Sequence, residues 1–291
     1  MQVTPTITQF CHNLWQLDAK VQLLKQEGEL LYVVTDKTPF HPVSHIWPDH
    51  PADRGQLNGC PVVDCQVGAV ELATNELYVG QAIPVKRNEA GWAFVVVHCL
   101  NKDVLELSVG DNVELSVDKH YQDALSRGHS AGHIAYLALN KVLVEGQYWR
   151  KDADRKDPHG YYDFNSYAQE TSFVTEDRCL DTYRLGKTLR KRGLNSADVV
   201  ADLKSIESRV NEQVRLWLTL PSSIEVFCDG DALTDSRYWR CDLNEAQLAE
   251  IPCGGTHATS LDVYEQISVT LTQLDEQNIE MDTRVMAKAA S

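Results

Sequence analysis

The sequence predicts an α+β fold in two parts: a β-rich, barrel-like domain over residues 1–110 and an α+β domain over residues 111–291 that carries a candidate metal site. Three observations predict it. β-rich segments bounded by turn residues dominate the first part. A helix-period apolar stripe begins only near residue 121. Strands and helices then mix without a βαβ repeat. With 291 residues, 43% of them apolar, the chain is long enough for two ordinary cores.

In the first part, ELLYVVTD (29–36), AVELATNELYVG (69–80) and WAFVVVHCL (92–100) read as strands, and SVGDNVELSVD (108–118) as a turn and one more. A small barrel or sandwich fits them. The stretch TPFHPVSHIWPDHPADRGQLNG (38–59) holds four prolines and three histidines, which predicts no regular element. In the second part, residues 121–146 are helical, with Ala131, Ile134, Ala135, Ala138, Leu139 and Val142 on one apolar stripe. A second helix is expected over 196–218 with Ser196 as its N-cap. Strands follow near SIEVFCD (223–229) and LDVYEQISVTLTQLD (261–275).

The net charge of −15 argues against broad, non-specific polyanion binding but leaves room for a local basic patch. Two segments offer one, YWRKDADRK (148–156) and YRLGKTLRKRG (183–193); a solvated helix face or loop is the alternative. No apolar run approaches the roughly 20 residues of a membrane helix. The N-terminal stretch lacks the charged and apolar regions of a signal peptide. Eight scattered cysteines in a chain this long make no disulfide framework, so reduced thiols and a cytoplasmic location are expected.

The helix at 121–146 contains HSAGH. His129 and His133 stand at i and i+4, so both imidazoles leave one side of the helix about a turn apart, as a pair of divalent-metal ligands would. CGGTH adds Cys253 and His257 on a Gly-Gly bend that can fold both side chains inward. Together they make a Cys/His₃ set, which suits zinc. The alternative is an inert buried thiol beside satisfied core histidines.

These motifs resemble a family. RGHSAGH (127–133) is similar to the R-x-H-[ST]-A-x-H motif of the alanyl-tRNA editing domains, and CGGTH (253–257) is identical to their second signature. TPFHP (38–42) with DRG (53–55) resembles the family's T-x-F-x-P…D-x-G stretch, and YYDFN (161–165) resembles a strand ending in Asp-Phe. One departure concerns the segment between Phe-x-Pro and Asp-x-Gly. The family has a glycine-rich loop there that helps bind the terminal adenosine; this chain has VSHIWPDHPA. That puts the substrate, though not the metal site, in question. The length resembles that of a freestanding editing protein.

The resemblance implies zinc-dependent hydrolysis, in trans, of a serine or glycine ester of mischarged tRNA(Ala). It implies His129, His133, Cys253 and His257 as metal ligands and catalytic centre, with Thr38, Ser130, Arg127 and Asp53 as substrate-binding residues. Thr38 and Ser130 are the candidates to read a serine hydroxyl, because size alone cannot exclude alanine, which lies between glycine and serine. Four protein ligands saturate tetrahedral zinc, so a catalytic role needs one loose ligand, expected to be His257, or five-coordination. The resemblance also implies that the loop at 41–52 lies at the mouth of the cleft. Two readings stay open beside this one: a zinc-stapled tRNA- or protein-binding module without turnover, and a hydrolase of small esters or amides.

Overall fold

The computed structural model describes residues 2–289. The strands are β1 (Ile7–Thr8), β2 (Gln16–Glu27), β3 (Leu30–Thr35), β4 (Lys37–Thr38), β5 (Gly55–Leu57), β6 (Cys60–Val62), β7 (Asp64–Glu71), β8 (Glu76–Val79), β9 (Trp92–Asn101) and β10 (Asn112–Val117). After them come α1 (Lys119–Glu145), α2 (Phe164–Ala168), β11 (Gln169–Thr175), β12 (Arg178–Arg184), α3 (Lys187–Lys191), α4 (Ser196–Ala201) and α5 (Leu203–Trp217). The chain closes with β13 (Ile224–Cys228), β14 (Arg237–Cys241), β15 (Ala249–Pro252), β16 (Tyr264–Gln273) and β17 (Asn278–Ala287). The fold is thus mixed α+β and mostly sheet. Among the described residues no helix is long and apolar enough to cross a membrane.

The chain divides into two compact units. One takes the chain up to Asp123 with Val226–Arg237 and Cys253–Thr256; the other takes Ala124–Glu225, Tyr238–Pro252 and the chain from His257 on.

The first unit is built on an eight-stranded sheet in the order β6-β5-β10-β2-β3-β9-β7-β8, curled into a half-barrel rather than a closed barrel or a sandwich. β9 explains why its sequence is a continuous apolar run. Its pleat sends Val96 and Leu100 into a core with Val33, Phe40, Leu57 and Leu115, and sends Ala93, Val95, Val97 and Cys99 into another with Leu23, Val34 and Val70. Both faces are therefore buried, unlike the alternating pattern of a one-sided strand. The region 38–59, expected to lack regular structure, contributes β5, which pairs with β10 and β6.

Helix α1 runs 27 residues, close to the helix expected over 121–146, and belongs to the second unit from Ala124 on. It packs on the β11–β12 hairpin through two glycines. A Cβ on Gly128 would stand 2.6–2.7 Å from the backbone of Thr175 and Arg178, and one on Gly132 would stand 2.7 Å from the Cys179 sulfur. The four-stranded sheet β11-β12-β17-β16 carries α5, whose Leu203, Ile206, Val210, Val214 and Trp217 form the buried stripe. Asn211 fastens the two, donating from Nδ2 to the Val269 carbonyl at 2.7 Å and accepting from its N–H at 2.8 Å.

Two local expectations change. The single helix over 196–218 is broken at Asp202, which has left helical geometry (φ −100°, ψ 14°) and accepts from the Tyr148 hydroxyl at 3.1 Å. Its N-cap position is Asn195, not Ser196, which is already the first helical residue. The strand expected to end in Asp-Phe is a lone bridge at Tyr162, followed by α2. Asp163 caps that helix, accepting from the Ser166 N–H at 3.0 Å, because a short acidic side chain can satisfy an orphan donor of the first turn.

Candidate metal centre

His129 and His133 project from one side of α1 with ring centroids 4.9 Å apart. The ring of His257 stacks on His129 at 4.4 Å and lies 5.3 Å from His133. The ligand atoms of these three and of Cys253, four residues upstream of His257, all lie within 4.8 Å of one another. The loop holding Cys253 and His257 is anchored by backbone bonds. Cys253 N–H donates to the Arg237 carbonyl at 2.9 Å, and Ala258 N–H donates to the Ser126 carbonyl at 3.3 Å and to Ser130 Oγ at 3.1 Å. Neither glycine of the loop takes a positive φ, and a Cβ on Gly254 would meet nothing within 4 Å. The chain bends at Gly255.

The donors suit a divalent metal. Burial holds His133 down to about 4, so its imidazole is neutral, and its Nε2 is buried without a hydrogen-bond partner. Burial also pushes the Cys253 thiol up to about 12, so a metal would have to displace its proton. Ser130 Oγ lies 3.2 Å from His257 Nδ1. With Nδ1–H donating to that oxygen, Nε2 is the nitrogen that offers a lone pair to a metal. One soft sulfur and three imidazoles match the preferences of zinc. Trp239, fully buried, stands 5.3 Å from the His133 ring and gives the site an apolar wall. Cys11, His12 and Cys228 form another group within 4.8 Å. There the Arg237 cation acts on Cys228 and opposes a second positive ion.

The structure brings the four predicted ligands together; the four predicted substrate residues each hold other partners. Thr38 is fully buried, bonded to His98 Nε2 at 2.8 Å and accepting from the Phe40 N–H at 3.0 Å. Ser130, also buried, holds His257 as described. Arg127 makes a two-pronged ion pair with Asp177 at 2.6 and 2.9 Å. Asp53 is buried, and its Oδ2 accepts from His41 N–H at 2.7 Å and from Gln122 Nε2 at 2.6 Å.

Sequence reasoning noted the histidines of the 38–59 stretch without giving them a role. His41 and His50 are buried edge to face at 4.4 Å. His50 donates from Nδ1 to the Pro51 carbonyl at 2.8 Å, which leaves its Nε2 to accept from the Thr256 hydroxyl at 3.1 Å. The glycine-free loop thus touches CGGTH itself. The signal in the sequence was the presence of three histidines among four prolines.

Helix-borne His-x₃-His with a Cys/His loop is a donor set that could hold a divalent metal. Comparison with known proteins narrows it. No family model matches the chain. It is 26% identical over 234 residues to an alanine–tRNA ligase of Akkermansia muciniphila, a match covering 80% of this chain and 19% of that protein. It is 30% identical over 131 residues to the alanyl-tRNA editing protein AlaX-M of Pyrococcus horikoshii, covering 45% of this chain and 48% of the relative. An alanine–tRNA ligase of Halorhodospira halophila is 34% identical over 131 residues, 45% of this chain and 12% of that enzyme. The chain spans less than half the length of each of these curated relatives. The chain is a relative of the alanyl-tRNA editing domains.

Proposed function

We propose that this chain is a zinc-dependent hydrolase that removes serine or glycine, in trans, from mischarged tRNA(Ala). The observation that carries the reading is the convergence of His129, His133, Cys253 and His257 within 4.8 Å, in a relative of AlaX-M. These four residues would hold the ion. When bound, it supplies Lewis acidity toward a carbonyl oxygen and toward water.

The chain's own residues do the rest. Ser130 fixes the His257 ring, and with it the direction of the loop ligand. Trp239 packs beside His133 and lends one side of the site an apolar face, which strengthens the interactions that would orient an ester. An aminoacyl ester is already activated, so positioning and polarisation suffice and no protein nucleophile is required.

The test is release of amino acid from tRNA(Ala) charged with serine, glycine or alanine, by metal-loaded protein beside a metal-free control. Serine or glycine should be released in preference to alanine. His129→Ala and Cys253→Ala should each abolish release, since each removes a donor. No release above the metal-free control from any of the three substrates would overturn the reading.

A further inference from the structure

The two basic segments that the metal site does not use are 27 residues apart in the chain and meet in the fold. Arg150 N–H donates to the Gly193 carbonyl at 2.7 Å, Asn195 N–H donates to the Tyr148 carbonyl at 2.8 Å, and Trp149 and Leu194 form a bridge. Gly193 makes this approach possible. Its φ is +115°, and a Cβ there would stand 2.7–2.9 Å from the side chain and carbonyl of Lys151. The product is a groove of about 1120 Å³ within the second unit, with Arg150, Lys151, Arg190 and Lys191 on its walls.

We propose that this groove binds the phosphodiester backbone of an RNA, and that in this chain it grips the body of the tRNA. The choice of tRNA rests on the function proposed above; the affinity for RNA phosphates does not. Four cations face one groove in a protein of net charge −15, where such a concentration is against the overall trend. All four are exposed, and among the described residues none is in an ion pair. Glu276 is the one acidic residue on the groove wall. The neighbouring Arg192 is by contrast paired with Asp154 and does not line the groove.

A second observation points to a ligand independently of charge. Ser196 lines the same groove, is only 8% exposed, and its hydroxyl is buried without a hydrogen-bond partner. A buried hydroxyl left unpaired costs free energy, and a phosphate oxygen in the groove would satisfy it. Arginine and lysine beside a hydroxyl donor are the usual contacts to backbone phosphates.

The experiment measures binding of uncharged tRNA(Ala) to the full chain by fluorescence anisotropy across a salt series. For Lys151→Ala/Lys191→Ala we expect a Kd about tenfold higher and a salt slope flatter by about 1.4–1.8, as for two lost phosphate contacts. Ser196→Ala should raise Kd about two- to tenfold without changing the slope. Lys20→Ala/Lys86→Ala makes the same change in net charge at exposed positions outside the groove and should leave both values near wild type.

Unchanged affinity and slope in the groove variant, equal loss in the control variant, or no tRNA binding by wild type would each overturn the proposal. So would a groove variant that loses inorganic phosphate but keeps tRNA, since that marks a small-anion site. A wild type that binds tRNA through the groove yet releases no serine sinks the deacylation reading and leaves this one standing. Serine release with a groove variant of unaltered affinity does the reverse.

Discussion

Asp53 has one carboxylate oxygen bonded to His41 and Gln122, while the other is buried without a partner. Desolvation pushes its pKa up from 3.8 to about 7. Folding therefore favours the protonated acid. That contribution is fully present below about pH 4 and is lost as pH rises through 7. Asp53→Asn keeps an accepting oxygen and places an uncharged group where the lone oxygen sits. Between pH 5 and pH 8 the wild type should lose stability relative to this variant, read as denaturant midpoints; parallel profiles would refute it. The sequence marked Asp53 through its Asp-x-Gly resemblance, but its partners come from positions 41 and 122, and no local pattern announces them. Thr38 teaches the same lesson. Its motif was legible, whereas its bond to His98, 60 residues away, depends on which β9 side chains turn toward that core.

Helix α1 was legible because its apolar stripe holds the 3.6-residue period over many turns. The two glycines inside it carried no period, and their role appears only once the β11–β12 hairpin is placed against them. Their effects on substitution should differ. Alanine in a helix gains about 1 kcal/mol over glycine, while overpacking against a fixed neighbour costs about 1–3 kcal/mol. At Gly128 the neighbours are backbone atoms, which cannot turn aside, so Gly128→Ala should be net destabilising. At Gly132 the nearest atom is the Cys179 sulfur, so Gly132→Ala should be milder and partly rescued by Cys179→Ala. Thermal melts of the three variants check this; a more stable Gly128→Ala would refute the packing account. Strands such as β11 escaped the sequence because most of the strand is exposed or half-buried, and only Val174 is fully buried. The break at Asp202 escaped for another reason: the apolar spacing continues straight through it, and only the bond from Tyr148 marks the place.

Over the whole molecule, the candidate metal donors were the most legible feature, because two short motifs hold all four. The meeting of the basic segments was not, since Gly193 and Lys151 reveal their proximity only in three dimensions. If the donors hold zinc in the folded chain alone, zinc at a hundredfold excess over its Kd should add about 2.7 kcal/mol of stability. Melting with zinc and with a chelator measures it, and Cys253→Ala should lose the increment. Equal melting temperatures for wild type in zinc and in chelator would rule out such a site. The pairing of the earliest strand sets a different constraint. Thr8 N–H donates to the Asp231 carbonyl at 2.8 Å, Leu233 N–H donates to the Thr6 carbonyl at 3.2 Å, and Ile7 bridges Ala232. On a ribosome adding about 5–20 residues per second, the N-terminal segment waits on the order of 10–45 s for these partners to be synthesised. During translation the Thr8 N–H and the Thr6 carbonyl therefore stay without these partners until residues 231–233 have left the exit tunnel, although every strand of the half-barrel has been made long before.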